Sequence, residues 1–263
     1  MTLAIIAGTG ALPAALVDAL PMRPYVVALD GFLPDTLIPD LTLRLERLLP
    51  ALRHLSDLGI TEACFAGAVR RPRLDPSLFD PATAQLVPRM LTAMQSGDDA
   101  TLREFMAIFE EEGFHIEAIP DLAPDLLPGP GLLEGRLTPQ DEADARRAAA
   151  IVDALGAVDV GQGAVVAEGQ CLAVEALPGT DAMLAYVATL GPRPTRGLFY
   201  KATKPGQDRR IDLPTIGPST MAAAAAAGLG GVAFAAGSVI CLDLPQMQAE
   251  ARSRGLFLWS RPC

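Results

Sequence analysis

Short apolar runs that stop at glycine and hand over to helix-spaced residues constrain this chain more than any other feature. Leu3–Ala7 is the first, closed by Gly8-Thr9-Gly10 and followed by Ala11–Leu20 with its apolar residues at helical spacing. Tyr25–Leu29 is β-rich, and Glu62–Ala66 is another short apolar run. Between and after them Pro50–Leu58, Ala84–Met94 and Ala100–Glu112 have helical periodicity, and Phe114–Ile119 returns to strand. Strands of this length alternating with helices predict an α/β fold with a mostly parallel sheet.

A break in the pattern divides the chain. Pro120–Gly131 holds four prolines and two glycines in twelve residues and reads as the linker. The expectation is two α/β domains with a substrate cleft between them. Residues 1–128 form an N-terminal, Rossmann-like nucleotide-binding domain, and residues 132–263 a second α/β domain. Beyond the linker Pro139–Leu155 reads as a charged amphipathic helix, and Ala164–Ala167 with Cys171–Ala176 as a hairpin around Glu168-Gly169-Gln170. Gly179–Leu190 is helical, Gly197–Lys201 a strand, Pro218–Ala227 an alanine-rich helix and Val232–Ala235 and Val239–Leu242 strands; Pro245–Arg254 and Leu256–Ser260 close the chain.

The net charge of −10 argues against a nucleic-acid partner held by bulk electrostatics, though a local basic pocket can still take an anionic ligand. The four cysteines are far apart with no CxxC pair, which excludes a zinc knuckle or redox motif and predicts free thiols in a reducing cytosol. The N-terminus lacks a basic region before its apolar stretch and reads as a first strand, not a signal peptide. Met221–Ala236 is apolar but too short and glycine-broken to span a bilayer. His54 and His115, the only histidines, belong to no motif, so acid–base work falls to carboxylates or lysines.

Both lysines of the chain sit in one segment, Lys201–Gly217, while every other fixed cation is arginine. An ammonium is a compact charge with three rotatable donors that a guanidinium does not replace. Lys201, Lys204, Gln207, Asp208, Arg209, Arg210 and Asp212 together suit phosphate oxygens and a metal ion; the alternative is a solvated loop between strand and helix. Gly8-Thr9-Gly10-Ala11-Leu12-Pro13 follows a strand and opens a helix, where amides approach a phosphate, and Asp30 ends the second strand where a ribose-binding acid would stand. The fingerprint GxGxxG is incomplete, because Pro13 takes the place of its third glycine. Gly67 with Arg70 and Arg71, at the end of the next strand, could hold an anion or be a surface pair. Asp98 and Asp99 serve as a helix N-cap or meet a metal or sugar hydroxyl, and Gly179-Thr180-Asp181 carries the same two readings.

In order along the chain, Gly8 through Pro13, Gly67 through Pro72, Gly97-Asp98-Asp99, Asp159-Val160-Gly161-Gln162-Gly163, Val174-Glu175-Ala176 with Gly179-Thr180-Asp181-Ala182-Met183, and Lys201 through Gly217 resemble the UDP-2,3-diacylglucosamine pyrophosphatase family of the LpxI type. The pattern K-x-x-K-P-x-Q-[DE]-x-R-x-D-L-P-T-I-G is its most specific part. The resemblance implies two domains with substrate between them and hydrolysis of UDP-2,3-diacylglucosamine to lipid X and UMP, by water attack on the α-phosphorus with Mg2+ or another divalent ion. It implies catalytic roles for Asp212, Lys201, Lys204, Gln207 and Arg210, and metal contacts from Asp212 and Asp208. Substrate contacts are implied for Gly8, Thr9, Gly10, Ala11, Leu12, Gly67, Arg70, Arg71, Asp98, Asp99, Gly179, Thr180, Asp181 and Thr215. The implied partners are a lipid-linked UDP-sugar, the inner face of the cytoplasmic membrane met peripherally by a cytoplasmic protein, and a second copy of the chain. Met221–Ala236 is a plausible wall for a lipid groove, or else core. Pro178 and Tyr186 depart from the family pattern, which expects Glu and Arg there. A nucleotide-sugar-binding module without chemistry and a nicotinamide-dependent oxidoreductase are the alternatives.

Overall fold

A computed structural model describes residues 2–69, 74–191, 195–206, 208–210 and 213–262; at Asp98 and Asp99 it describes the backbone alone. The chain forms two compact units, Met1–Ala123 and Pro124–Cys263.

The first unit follows the run-and-glycine pattern. Strands β1 (Leu3–Ala7), β2 (Tyr25–Leu29), β3 (Leu41–Leu43), β4 (Glu62–Ala66) and β5 (His115–Ile116) form one sheet in the order β3-β2-β1-β4-β5. Every pairing in it is parallel, and the order is that of the first five strands of a doubly wound nucleotide-binding sheet. Helices α1 (Leu12–Ala19), α2 (Leu48–Asp57), α3 (Val87–Ser96), α4 (Asp98–Glu111) and α5 (Ile119–Leu122) complete it. Leu48, Leu52 and Leu55 of α2 recur at one-turn spacing and are all buried. Phe109 of α4 sits edge-to-face between Phe65 and Phe114, with ring centroids 5.1 and 5.7 Å apart. The proline-rich stretch is not bare linker: its first residues form α5, where Pro120 is tolerated in the first turn, and Pro124–Leu126 adds a 3-10 turn.

The second unit holds β6 (Gly131–Glu134), α6 (Pro139–Gly156), β7 (Gly163–Ala167), β8 (Gln170–Val174), α7 (Gly179–Ala188), β9 (Leu198–Lys201), β10 (Thr215–Ile216), α8 (Pro218–Ala226), β11 (Gly231–Ala235), β12 (Ile240–Cys241), α9 (Leu244–Arg254) and β13 (Phe257–Arg261). Its six-stranded sheet has the order β6-β13-β11-β9-β7-β8. The three central strands are parallel, and β6, β7 and β8 run antiparallel to their neighbours. β10 pairs separately with β12. Period-two alternation sorts the side chains. Val165, Phe199, Val232 and Phe234 meet Met183, Leu184, Met221 and Met247 on one face. Ala164, Val166, Leu198, Tyr200 and Ala233 meet Ala145, Ala148 and Val152 of α6 on the other.

Helix α6 begins with a reciprocal cap: Thr138 Oγ1 accepts from Asp141 N at 3.2 Å, and Asp141 Oδ2 accepts from Thr138 N at 2.8 Å. Asp144, one turn further on, is buried because its carboxylate accepts the Glu168 and Gly169 amides of the β7–β8 turn at 2.9 and 2.7 Å. Met221–Ala236 contributes one side of the second unit's core, and Ala226 of α8 is left exposed. Met221, Ala224, Ala227, Leu229, Val232 and Phe234 are core, since a chain of small and apolar residues lets α8 lie flat on the sheet. Among the described residues no helix is long and apolar enough to cross a membrane.

Candidate functional site

The candidate residues of the first unit collect at the carboxyl ends of β1 and β4. Gly8 N donates to Ala66 O at 2.8 Å. Thr9 and Ala68 exchange amide–carbonyl bonds at 2.9 and 3.0 Å, and Thr9 Oγ1 also donates to Ala68 O. Gly10 N donates to Asp35 Oδ1 at 3.2 Å. The two loops touch so closely that a Cβ on Gly8 would lie 2.6 Å from Ala68 O, and one on Gly67 2.8 Å from Thr9 O. The amides of Gly8, Thr9 and Gly10 therefore serve the fold, and the glycines are explained by loop-on-loop approach. Ala11 and Leu12, at the start of α1, keep the amides that helix geometry leaves without intrahelical partners. Asp30 is engaged by Arg44, whose Nε lies 2.7 Å from Asp30 Oδ2, and this pairing raises the guanidinium pKa. Arg70 and Arg71 lie outside the described residues. Asp98 and Asp99 are the first two residues of α4, and the N-cap position is Gly97, at φ +122°, a conformation that falls to glycine.

In the second unit the strand alternation that turns Phe199 toward α7 and α8 turns Lys201 the same way. Its side chain is 6 % exposed. The ammonium meets Glu175 Oε2 at 3.0 Å, Glu175 Oε1 at 3.2 Å and Thr180 Oγ1 at 2.6 Å. Glu175 lies just beyond β8, its amide bonded to Gly163 O at 2.8 Å. A Cβ on Gly161 would stand 2.0 Å from Glu175 O, and one on Gly163 2.7 Å from Glu175 Oε2. The two glycines leave the room through which Glu175 reaches Lys201. Thr180 is the second residue of α7, whose N-cap is Pro178 without a side-chain cap bond, so Thr180 and Asp181 are not caps; the Thr180 hydroxyl faces Lys201.

Lys204 reaches back to Asp159, Nζ to Oδ1 at 2.6 Å, with side chains 24 % and 65 % exposed. Asp159 adopts φ +57°, a left-handed conformation that Asp tolerates. Asp208 and Arg210 clamp one another: Arg210 Nη2 donates to Oδ2 at 2.8 Å and Nε to Oδ1 at 3.1 Å. Arg209 binds Gly237 O, and Thr215 Oγ1 donates to Leu213 O at 3.3 Å. Gln207 and Asp212 lie outside the described residues.

Lys201, Lys204 and Arg210 thus each have a carboxylate partner, and two of those partners, Glu175 and Asp159, escaped the residue-by-residue reading. Both fall within the segments quoted above, and Glu175 stands against Gly161 and Gly163, where a Cβ would collide with it. For a divalent ion the fit is poor among the described residues: Asp208 has both oxygens turned to Arg210, and no group of three or more His, Cys, Asp or Glu gathers. His54 is exposed, and His115 pairs with Glu117 at 3.5 Å.

A parallel α/β unit and a mixed-sheet unit carrying paired cations define a two-unit α/β protein. Residues 2–126 match the family model of the LpxI N-terminal domain, and residues 130–259 that of the LpxI C-terminal domain. The chain is 38% identical over 270 residues to a protein of Caulobacter vibrioides named UDP-2,3-diacylglucosamine pyrophosphatase LpxI, covering 97% of this chain and 96% of that one. The chain belongs to the LpxI family.

Proposed function

We propose that the protein hydrolyses the pyrophosphate bond of UDP-2,3-diacylglucosamine to UMP and 2,3-diacylglucosamine 1-phosphate in lipid A biosynthesis, with water attacking the α-phosphorus. The observation that carries this reading is end-to-end similarity to a relative named for that substrate and bond cleavage. The chemistry of the second unit supports it. Charge moves onto phosphate oxygens as the bond breaks, and preorganised cations and donors lower that barrier. Lys204 is the cation best placed to meet a phosphate, since its partner Asp159 is mostly solvent-exposed. Asp212 is the carboxylate for the attacking water or a divalent ion; an acceptor-only group suits either.

The test is UMP release from UDP-2,3-diacylglucosamine by the purified protein, with and without a chelator. Equal amounts of UMP and lipid phosphate are expected, with loss of rate on chelation if Mg2+ takes part. Water labelled with heavy oxygen should leave its label in UMP. Tight binding of the UDP-sugar without UMP release would replace the enzyme by a binding module. The proposal includes peripheral contact with the inner face of the cytoplasmic membrane, where a diacylated substrate resides; co-flotation with vesicles carrying the substrate checks it.

A further inference from the structure

Lys201 looks at first like a ligand for the substrate's phosphates, yet its geometry fits another role. An ammonium has three donors and no acceptor. Three oxygens stand around Lys201 Nζ within 3.2 Å, two from Glu175 and one from Thr180. The side chain is 6 % exposed and that of Glu175 13 %. Parting a buried pair of this kind leaves each member without its compensating charge, so neither is available to swing onto a ligand.

Thr180 is the member with something left to give. Its oxygen accepts from the ammonium at 2.6 Å, so its own proton must point away from Lys201. Among the described residues no acceptor takes that proton, and Thr180 is only partly buried. The arrangement is built rather than incidental. Gly161 and Gly163 lack the side chains that would collide with Glu175, and β9 delivers Lys201 on the face that α7 covers.

Resting on the pyrophosphatase reading, the geometry points to Glu175 and Lys201 as positioning residues that fix the Thr180 hydroxyl as a hydrogen-bond donor to the substrate's phosphate oxygens. Thr180 is the catalytic residue of the three. Lys201 acts through it, and Glu175 holds Lys201.

The test compares Thr180→Val, Thr180→Ser, the pair variant Lys201→Met with Glu175→Gln, and the triple variant that adds Thr180→Val to the pair. Two readouts are taken, kcat for UMP release and the Kd for UMP by calorimetry, with melting temperature as a check on folding. Thr180→Ser keeps the hydroxyl and most of the rate. Thr180→Val loses about a hundredfold in kcat, the scale of one lost donor to a developing oxyanion, while it stays folded at the assay temperature. The pair variant removes both charges together, so it leaves no lone buried ion. The triple variant falls no further than Thr180→Val, because groups acting as a unit are not additive. Wild-type kcat and Kd in Thr180→Val overturn the proposal. So does a triple variant whose loss is the product of the two separate losses, which would mean that Lys201 reaches the substrate by itself. If the wild-type protein releases no UMP, the pyrophosphatase reading falls. The hydroxyl role is then decided by whether Thr180→Val weakens UMP binding.

Discussion

The two units answer the same demand, that loops hold a fixed shape at the end of a sheet, with different chemistry. In the first unit the β1 and β4 loops are tied by backbone bonds between Gly8, Thr9, Ala66 and Ala68, and glycines let them touch. In the second unit the ties are charged: Lys201 at the end of β9 holds Glu175 just beyond β8, and Lys204 beyond β9 holds Asp159 between α6 and β7. A backbone tie uses up the amides that would otherwise meet a ligand. The Lys204–Asp159 tie keeps ionic groups near the surface, where a stronger anion can compete for them, while the Lys201–Glu175 tie is buried. The turn that most resembles a nucleotide fingerprint is therefore the more structural of the two, and the lysine segment the more chemical.

The largest expected effect separates the two lysines. Lys201→Ala leaves Glu175 buried without its partner and should destabilise the protein by about 3–5 kcal/mol, as when one member of a buried ion pair is removed. Lys204→Ala breaks a pair whose acid is 65 % exposed and should change stability by about 1 kcal/mol or less. Its effect should fall instead on substrate KM and kcat. Urea melts beside steady-state kinetics decide it. Equal melts for the two variants would mean that the lysines are equivalent, as their spacing in the sequence suggests.

Next comes a loss of rate without loss of fold. Asp212→Ala should lower kcat by at least about a hundredfold while substrate still binds, since it removes one acid–base or electrostatic group and leaves the lysines in place. Asp208→Ala should do less to the chemistry, because in the structure that carboxylate already holds Arg210. Near-normal activity in Asp212→Ala with a dead Asp208→Ala would reverse the assignment within the segment and leave the reaction itself standing.

The glycine-tied region should break through its backbone. Gly67→Ala forces a side chain to φ +96° and within 2.8 Å of Thr9 O, a strain of about 1–3 kcal/mol before the clash is relieved. Gly10→Ala meets the same kind of φ, +93°, with nothing within 4 Å, and should cost less. Two thiols report which unit has loosened. Burial pushes Cys64 up to about 12, with the Glu117 charge adding to it, and burial pushes Cys241 up to about 12. Neither should react with a thiol reagent near neutral pH until its surroundings open. With Cys171 and Cys263 replaced by Ser, Gly67→Ala should speed modification of Cys64 and leave Cys241 unchanged.

Much of this fold is legible in the sequence, because both units keep local rules. β1, β2 and β4 coincide with the apolar runs, and the hairpin after α6 stands where Glu168-Gly169 demands a turn. What is hidden is nonlocal. β3, β6 and β10 are two to four residues long, too short for a periodic signal, and exist because a neighbouring strand offers an edge. The lysine segment announces itself by composition, but Glu175 and Asp159 lie 26 and 45 residues away from the lysines they bind. No spacing rule links residues so far apart; only the sheet order does. Thr180 and Asp181 look like caps in the sequence, because Thr and Asp at a helix start usually are, yet Pro178 holds that position and both lie inside α7.

The smallest effect concerns acid. Asp80 precedes the 3-10 turn at Thr83–Leu86, and its Oδ1 accepts the Ala82 and Thr83 amides at 3.0 and 3.2 Å. Burial alone would raise its pKa, but the Thr83 hydroxyl and these two amides outweigh that and hold it below its usual 3.8. Thr83 is itself fully buried and accepts from Leu49 N at the start of α2, so the carboxylate reaches the core of the first unit through one side chain. The sign follows from the depressed pKa. The stabilisation is complete above the unfolded value of 3.8 and is lost as pH falls through the lower folded value. Asp80→Asn keeps an acceptor oxygen, so near neutral pH it should cost about 1 kcal/mol or less, the scale of a weakened cap. Below about pH 4, where the wild-type carboxyl begins to protonate, the difference between the two proteins should shrink. Urea melts from pH 3 to 7 check this; a constant gap across that range would mean that the charge on Asp80 does nothing for the fold.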